Sequence, residues 1–217
     1  MKTIIDTVIF DFDGVLVHTG PDIANAANYA LRINHLPELS EDTIISYIGG
    51  GAEMLMRRCL KKEAEALLPK ALPEFAHYYN EHCCVDSYLY PEVLSVLKQL
   101  KEAGKCLAIA TQKNEATAQK MIEQLGISDY FDCIVGPESV KNRKPHPESV
   151  IRILENTSTP ADRAIFIGDM PTDIQAGNAA GVYSCGVLYG YGTEEAIRAA
   201  IPDFIISHLS QLLDWIA

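Results

Sequence analysis

The sequence predicts an α/β protein: a parallel sheet core with an all-helical segment inserted after its first strand. Three observations carry that prediction. Five short apolar runs each end in glycine or polar residues, as buried strands do. From residue 88 onward these runs alternate with segments of helical period, the pattern of a parallel sheet. The stretch between the first and second runs is helix-rich and far longer than the about 10–15 residues a simple βα connection needs.

Taken in order, Thr7-Val8-Ile9-Phe10 is β-branched and aromatic and stops at Asp11-Phe12-Asp13-Gly14, so it reads as a strand over residues 7–10. The next segment, residues 16–87, reads as helices over 23–33, 41–47, 52–60, 61–67 and 72–82, broken by Pro37, by Gly49, Gly50 and Gly51, and by Pro69. In residues 91–104, Val93, Val96, Leu97 and Leu100 recur at helical spacing between Pro91 and Gly104. Strand 106–110 follows, then a helix over 115–126 carrying Ala118, Met121, Ile122 and Leu125 and stopped by glycine. Strand 133–135, a helix after Pro147 marked by Val150, Ile151, Ile153 and Leu154, and strands 164–167 and 183–187 complete the pattern. The domain reading is a core of residues 1–15 and 88–217 with a helical cap of residues 16–87. An insertion at the carboxyl end of a strand suits a lid over that rim.

Composition bounds the partners. A 217-residue chain, 48% hydrophobic and 22% charged, is one large domain or a core with a modest insertion. A formal charge of −11 argues against nucleic acid as the main partner and requires local cations or a metal if an anion is to bind. No apolar stretch is long enough to span a bilayer, and Met1-Lys2-Thr3-Ile4-Ile5-Asp6 lacks a secretory signal, so the expectation is a cytoplasmic protein without a membrane partner. Six cysteines (59, 83, 84, 106, 133, 185) show no zinc spacing. Cys106, Cys133 and Cys185 lie in apolar runs and read as buried thiols; the vicinal Cys83-Cys84 pair admits a redox role.

The chemistry gathers at strand ends, where open α/β sheets bind ligands. Asp11 is placed to act as a nucleophile and Asp13 as an acid and base. Gly14 permits close backbone approach to a phosphate. Thr111 ends the second strand, where a hydroxyl suits phosphate oxygens and equally suits a helix cap. Lys144 lies in Lys141-Asn142-Arg143-Lys144-Pro145-His146-Pro147, a cationic loop that is either solvated or stiffened by its prolines around one ammonium. Asp169 ends the fourth strand, and Asp173 follows at i+4. Such carboxylates suit magnesium, and Asp173 suits the amino end of a helix just as well.

The ordered set Asp11-x-Asp13-Gly14, Thr111, Lys144-Pro145 and Gly168-Asp169-x-x-x-Asp173 resembles the haloacid dehalogenase superfamily of magnesium-dependent phosphohydrolases. The resemblance implies a Rossmann-like sheet of order 5-4-1-2-3 with a helical cap. It also implies magnesium held by Asp11 and Asp169 through carboxylates and by Asp13 through its backbone carbonyl. Thr111 and Lys144 would hold the phosphoryl group, with Gln112 beside them where the family often has asparagine. Within the superfamily, Tyr47-Ile48-Gly49-Gly50-Gly51-Ala52-Glu53-Met54-Leu55, Lys144-Pro145-His146-Pro147 and Tyr189-Gly190-Tyr191-Gly192 are similar to the phosphoglycolate phosphatase group. Val15, His18, Gln112 and Met170 depart from its usual residues without removing a chemical station.

The expected function is therefore a magnesium-dependent phosphatase. It would act on a small phosphorylated metabolite, with 2-phosphoglycolate a candidate, through an aspartyl-phosphate, as a monomer or homodimer. Gly50 and Gly51 are candidate substrate contacts, since they open a helix whose N–H groups favour an anion; a plain hinge is the other reading. A β-phosphoglucomutase-like phosphotransferase would use the same aspartates, and a non-catalytic metabolite-binding module would keep the fold alone.

Overall fold

β-branched and aromatic residues set the strands, and helical periodicity sets what lies between them. The computed structural model describes residues 3–216. Its first elements are β1 (Thr7–Phe10), β2 (Val17–His18), α1 (Gly20–Ile33), α2 (Glu41–Ile45), α3 (Gly51–Leu60), α4 (Leu68–His82) and β3 (Tyr88–Leu89). There follow α5 (Val93–Glu102), β4 (Cys106–Ala110), α6 (Glu115–Gln124), β5 (Cys133–Val135), α7 (Glu148–Thr157) and β6 (Ala164–Gly168). The last are α8 (Pro171–Ala180), β7 (Tyr183–Val187), α9 (Glu194–Ala199), β8 (Phe204–Ile206) and α10 (Leu212–Trp215).

The chain divides into two units, Met1–Val17 with Leu89–Ala217, and His18–Tyr88. In the first unit six parallel strands run in the order β5-β4-β1-β6-β7-β8. This is the expected order with one strand added. The short run Phe204-Ile205-Ile206 gave too little pattern to be read as a strand, yet it pairs with β7 at the sheet edge. β1 and β6 are buried over every residue, which is why both read as unbroken apolar runs. On one face Ile9, Ala108, Ala110 and Phe166 pack with Val150 and Ile153 of α7 and Ala176 of α8. Val8, Phe10, Leu107, Ile109, Ile165 and Ile167 have the opposite parity and are all fully buried.

The second unit is helical, with α1 packed mainly on α4 and α2. Helix α4 starts at Leu68, earlier than residue 72: Pro69 begins the helix instead of breaking it, and Pro73 lies inside. A proline this near the amino end forfeits only one intrahelical bond, so the burial of Ala71, Phe75 and Tyr79 prevails. Asp22, buried at the start of α1, accepts hydrogen bonds from the N–H groups of Val85, Asp86 and Ser87 at 2.9–3.2 Å. All six cysteines are free thiols; Cys185 is buried as expected, whereas Cys106 and Cys133 are only half-buried.

Candidate active site

The strand order reverses around β1, whose neighbours are β4 on one side and β6 on the other. At such a switch point the loops leaving adjacent strands part, and the carboxyl ends open onto a crevice. Asp11 leaves β1, Thr111 leaves β4 and Asp169 leaves β6, so residues far apart in sequence share one rim. The Asp11 N–H extends the β1–β6 ladder to Ile167 O at 2.8 Å, and the Thr111 N–H bonds Val135 O at 3.0 Å.

Three carboxylates converge there. Asp11, Asp169 and Asp173 are buried and each offers an oxygen within 4.8 Å of the others. Lys144 Nζ, itself buried, meets two of them: it lies 3.0 Å from Asp11 Oδ1 and 2.6 Å from Asp173 Oδ1, and donates to Ala110 O at 3.0 Å. The prolines thus belong to a loop that seats one ammonium, and the Lys144–Pro145 peptide is cis. Asp173 also serves its helix, accepting the Met170 N–H on Oδ2 at 3.0 Å at the amino end of α8.

The charges are unbalanced. Burial pushes the Asp11 carboxyl up to about 7; Lys144 opposes the shift, and Asp173 and Asp13 add to it. Asp169 is raised well above the carboxylate range by burial, then by Asp173 and Asp11. For Lys144, burial disfavours the ammonium, but Asp11 and Asp173 outweigh it and the net shift is upward. Asp169 Oδ1 is buried without a hydrogen-bond partner, and Asp11 Oδ1 has the Lys144 ion pair but no directed hydrogen bond. Three hard carboxylates, one ammonium and undirected buried oxygens fit a hard divalent cation.

The linkage has a definite sign. A carboxyl whose pKa rises on folding binds its proton more tightly in the native state, so its ionisation costs stability as pH climbs from 3.8 towards 7. A bound cation removes that cost, whereas protons compete with it at low pH. The gain in melting temperature on adding magnesium to chelator-stripped protein is therefore expected to be larger at pH 8 than at pH 5. Equal gains at the two pH values would contradict this electrostatic picture.

The other predicted residues fall around this cluster. The Asp13 carboxylate lies outside the trio, paired with Lys113 Nζ at 3.0 Å. Gly14 has φ +85°, and a Cβ there would overlap the Asp169 carboxylate, so glycine is required twice over. Thr111 Oγ1 accepts the Lys113 N–H at 3.0 Å; the cap of α6 is Asn114, which accepts from Thr117 N at 3.1 Å. Gln112 is half-exposed beside it. Gly50 and Gly51 lie in the helical unit, as the N-cap and first residue of α3, with Gly51 at φ +78°. In that same unit Arg58 Nη1 donates to Tyr47 O at 2.6 Å, holding the start of the glycine turn.

Sequence reasoning missed Lys113, which is nearly buried and lies 5.7 Å from the Phe12 ring centre. Its signal was a lone lysine two residues past a strand-end threonine in an acidic chain. It also missed what the Tyr189–Gly192 region does: the Tyr191 N–H bonds Asp169 Oδ2 at 2.7 Å.

The haloacid dehalogenase-like hydrolase family model matches residues 8–187. The chain belongs to the haloacid dehalogenase-like hydrolase family. A phosphoglycolate phosphatase from Vibrio cholerae serotype O1 is 35% identical, the match covering 99% of this chain and 97% of the relative. One from Salmonella choleraesuis is 34% identical over 95% of this chain and 90% of its own length. Among solved structures, a predicted phosphoglycolate phosphatase from Haemophilus somnus 129PT superposes with TM-score 0.91 at 32% identity, covering 97% of both chains. A family with such relatives makes the chain a phosphoric monoester hydrolase. Among the described residues no helix is long and apolar enough to cross a membrane.

Proposed function

We propose that the chain is a magnesium-dependent phosphatase for a small phosphorylated metabolite, acting through an aspartyl-phosphate on Asp11. The observation that carries this reading is the cluster of the Asp11, Asp169 and Asp173 carboxylates at the carboxyl rim of the sheet, with the buried Lys144 ammonium paired to Asp11 and Asp173. Asp11, Asp169 and Asp173, with the backbone carbonyl of Asp13, would hold magnesium, which when bound supplies positive charge that keeps the carboxylates ionised and draws phosphoryl oxygens.

The remaining steps belong to the chain's own residues. The phosphoryl group sits among Lys144, the Thr111 hydroxyl, Gln112 and the N–H groups near Gly14, which carry its negative charge. The Asp11 carboxylate attacks phosphorus and the bond to the leaving oxygen breaks. Asp13 gives that oxygen a proton as it departs. Asp13, now ionised, takes a proton from water, whose oxygen attacks the phosphorus of the aspartyl-phosphate and frees Asp11 and inorganic phosphate. Asp13→Asn is expected to slow turnover by about 10²–10⁴-fold in a protein that still folds, even though it breaks the ion pair with Lys113. A rate within twofold of wild type would remove Asp13 from this role.

Relatives that are phosphoglycolate phosphatases make 2-phosphoglycolate the first substrate to test. The core residues contact only the phosphoryl group, so choice among metabolites falls to the cap. The Gly50-Gly51 turn is the candidate, because the amino end of α3 offers N–H groups and a positive dipole to a substrate carboxylate. A turnover screen with magnesium tests the function: phosphate release from 2-phosphoglycolate well above that from an aryl phosphate is expected. Gly50→Pro and Gly51→Asp should then lose 2-phosphoglycolate turnover and largely spare the aryl phosphate. Equal loss of both substrates would reduce the turn to a hinge.

A further inference from the structure

The loop Tyr189-Gly190-Tyr191-Gly192, which follows β7 at the same end of the sheet, encloses one carboxylate on several sides. The Tyr191 N–H donates to Asp169 Oδ2 at 2.7 Å, and Asp169 is fully buried. Its other oxygen, Oδ1, is left without a hydrogen bond. A Cβ at Gly190 would overlap the Asp169 side chain and lie 2.6 Å from Gly14 O; one at Gly192 would overlap the Asp169 backbone carbonyl. The loop is anchored in turn to the segment that follows Asp13. The Tyr189 hydroxyl donates to Val15 O at 3.0 Å, and its ring packs on Tyr90 with centroids 4.9 Å apart. The Tyr90 N–H bonds Leu16 O at 3.0 Å.

We infer that this loop is a positioning element for Asp169: it occupies Oδ2, forbids rotation of the carboxylate, and reserves Oδ1 for the cation. The inference rests on the reading that Asp169 is a cation ligand. A carboxylate with one oxygen engaged and no room to turn presents its second oxygen in a fixed direction. Partners of this kind behind a ligand typically govern metal affinity by about 10–100-fold. Tyr189, Gly190, Tyr191 and Gly192 act through Asp169 and are positioning residues.

The test is magnesium binding to chelator-stripped protein by calorimetry, with the melting temperature in chelator measured beside it. Gly190→Ala inserts the forbidden Cβ and is expected to weaken magnesium affinity by about 10–100-fold. Tyr189→Phe removes only the tie to Val15 and is expected to weaken it by about 2–10-fold, the worth of one neutral hydrogen bond. If Gly190→Ala does not fold, Tyr189→Phe decides. Wild-type affinity in a folded Gly190→Ala, or in Tyr189→Phe where that variant decides, overturns the inference. So does a lowered melting temperature with affinity unchanged, which is the mark of a merely structural loop. A wild-type protein that binds no magnesium instead overturns the cation reading, and this inference with it.

Discussion

Replacing Asp11 by asparagine is expected to reduce phosphate release by on the order of 10⁴-fold or more while leaving the metal-free protein as stable as wild type or more so. The two halves of that result come from one geometry. Asparagine keeps the shape of the side chain but removes the anionic oxygen that would attack phosphorus. Asp11 is also a buried acid beside two others, its carboxyl pushed up to about 7 by burial and by Asp173 and Asp13. Neutralising it relieves repulsion, and Lys144 keeps its 2.6 Å partner Asp173. A large loss of rate with a retained or raised melting temperature is the signature of a functional acid held at a cost in stability. Turnover near the wild-type rate in Asp11→Asn would remove the residue from the chemistry.

The opposite balance is expected at Lys144. Lys144→Met deletes the one ammonium among the described residues that pairs with Asp11 and Asp173, and takes that positive charge from three clustered buried carboxylates. Removing one partner of a buried ion pair costs about 3–5 kcal/mol, because the charges left behind have no solvent to turn to. Those carboxylates can escape the penalty only by taking up protons. The deficit of the metal-free variant, read by denaturant unfolding, is therefore expected to be large at pH 8 and to shrink towards pH 5. Magnesium at pH 8 should recover part of it, since a cation at the trio replaces some of the missing charge. A deficit that is independent of both pH and magnesium would mean that Lys144 contributes packing alone.

What the sequence disclosed, and what it withheld, follows from range. Val8-Ile9-Phe10 and Ile165-Phe166-Ile167 are buried on both faces, so local composition sufficed to mark them as central strands. The acids and the threonine at strand ends could be placed because the end of a parallel strand is a fixed location on the rim. Phe204-Ile205-Ile206 escaped because three residues at an edge carry too little pattern, and its pairing with β7 is a long-range matter. Pro69 was misleading for the complementary reason: local propensity makes it a break, but it stands in the first turn of α4, where its missing N–H forfeits no helical bond. At the site, the Lys113–Asp13 ion pair joins the loops after β4 and β1, a closeness that only the sheet order creates. The Tyr191 contact with Asp169 runs through a backbone N–H, which no side-chain motif announces.

The central claim is that Asp11 carries the phosphoryl group between the two halves of the reaction. It is tested most directly by acid-quenching the enzyme during turnover of ³²P-labelled 2-phosphoglycolate, or of the best substrate from the screen, and mapping the label by peptide. The expected result is a hydroxylamine-labile phosphate on the peptide containing Asp11, present with magnesium and lost in Asp11→Asn. Label on a different residue would contradict the claim. So would turnover that never places label on the protein while an intermediate-trapping control succeeds.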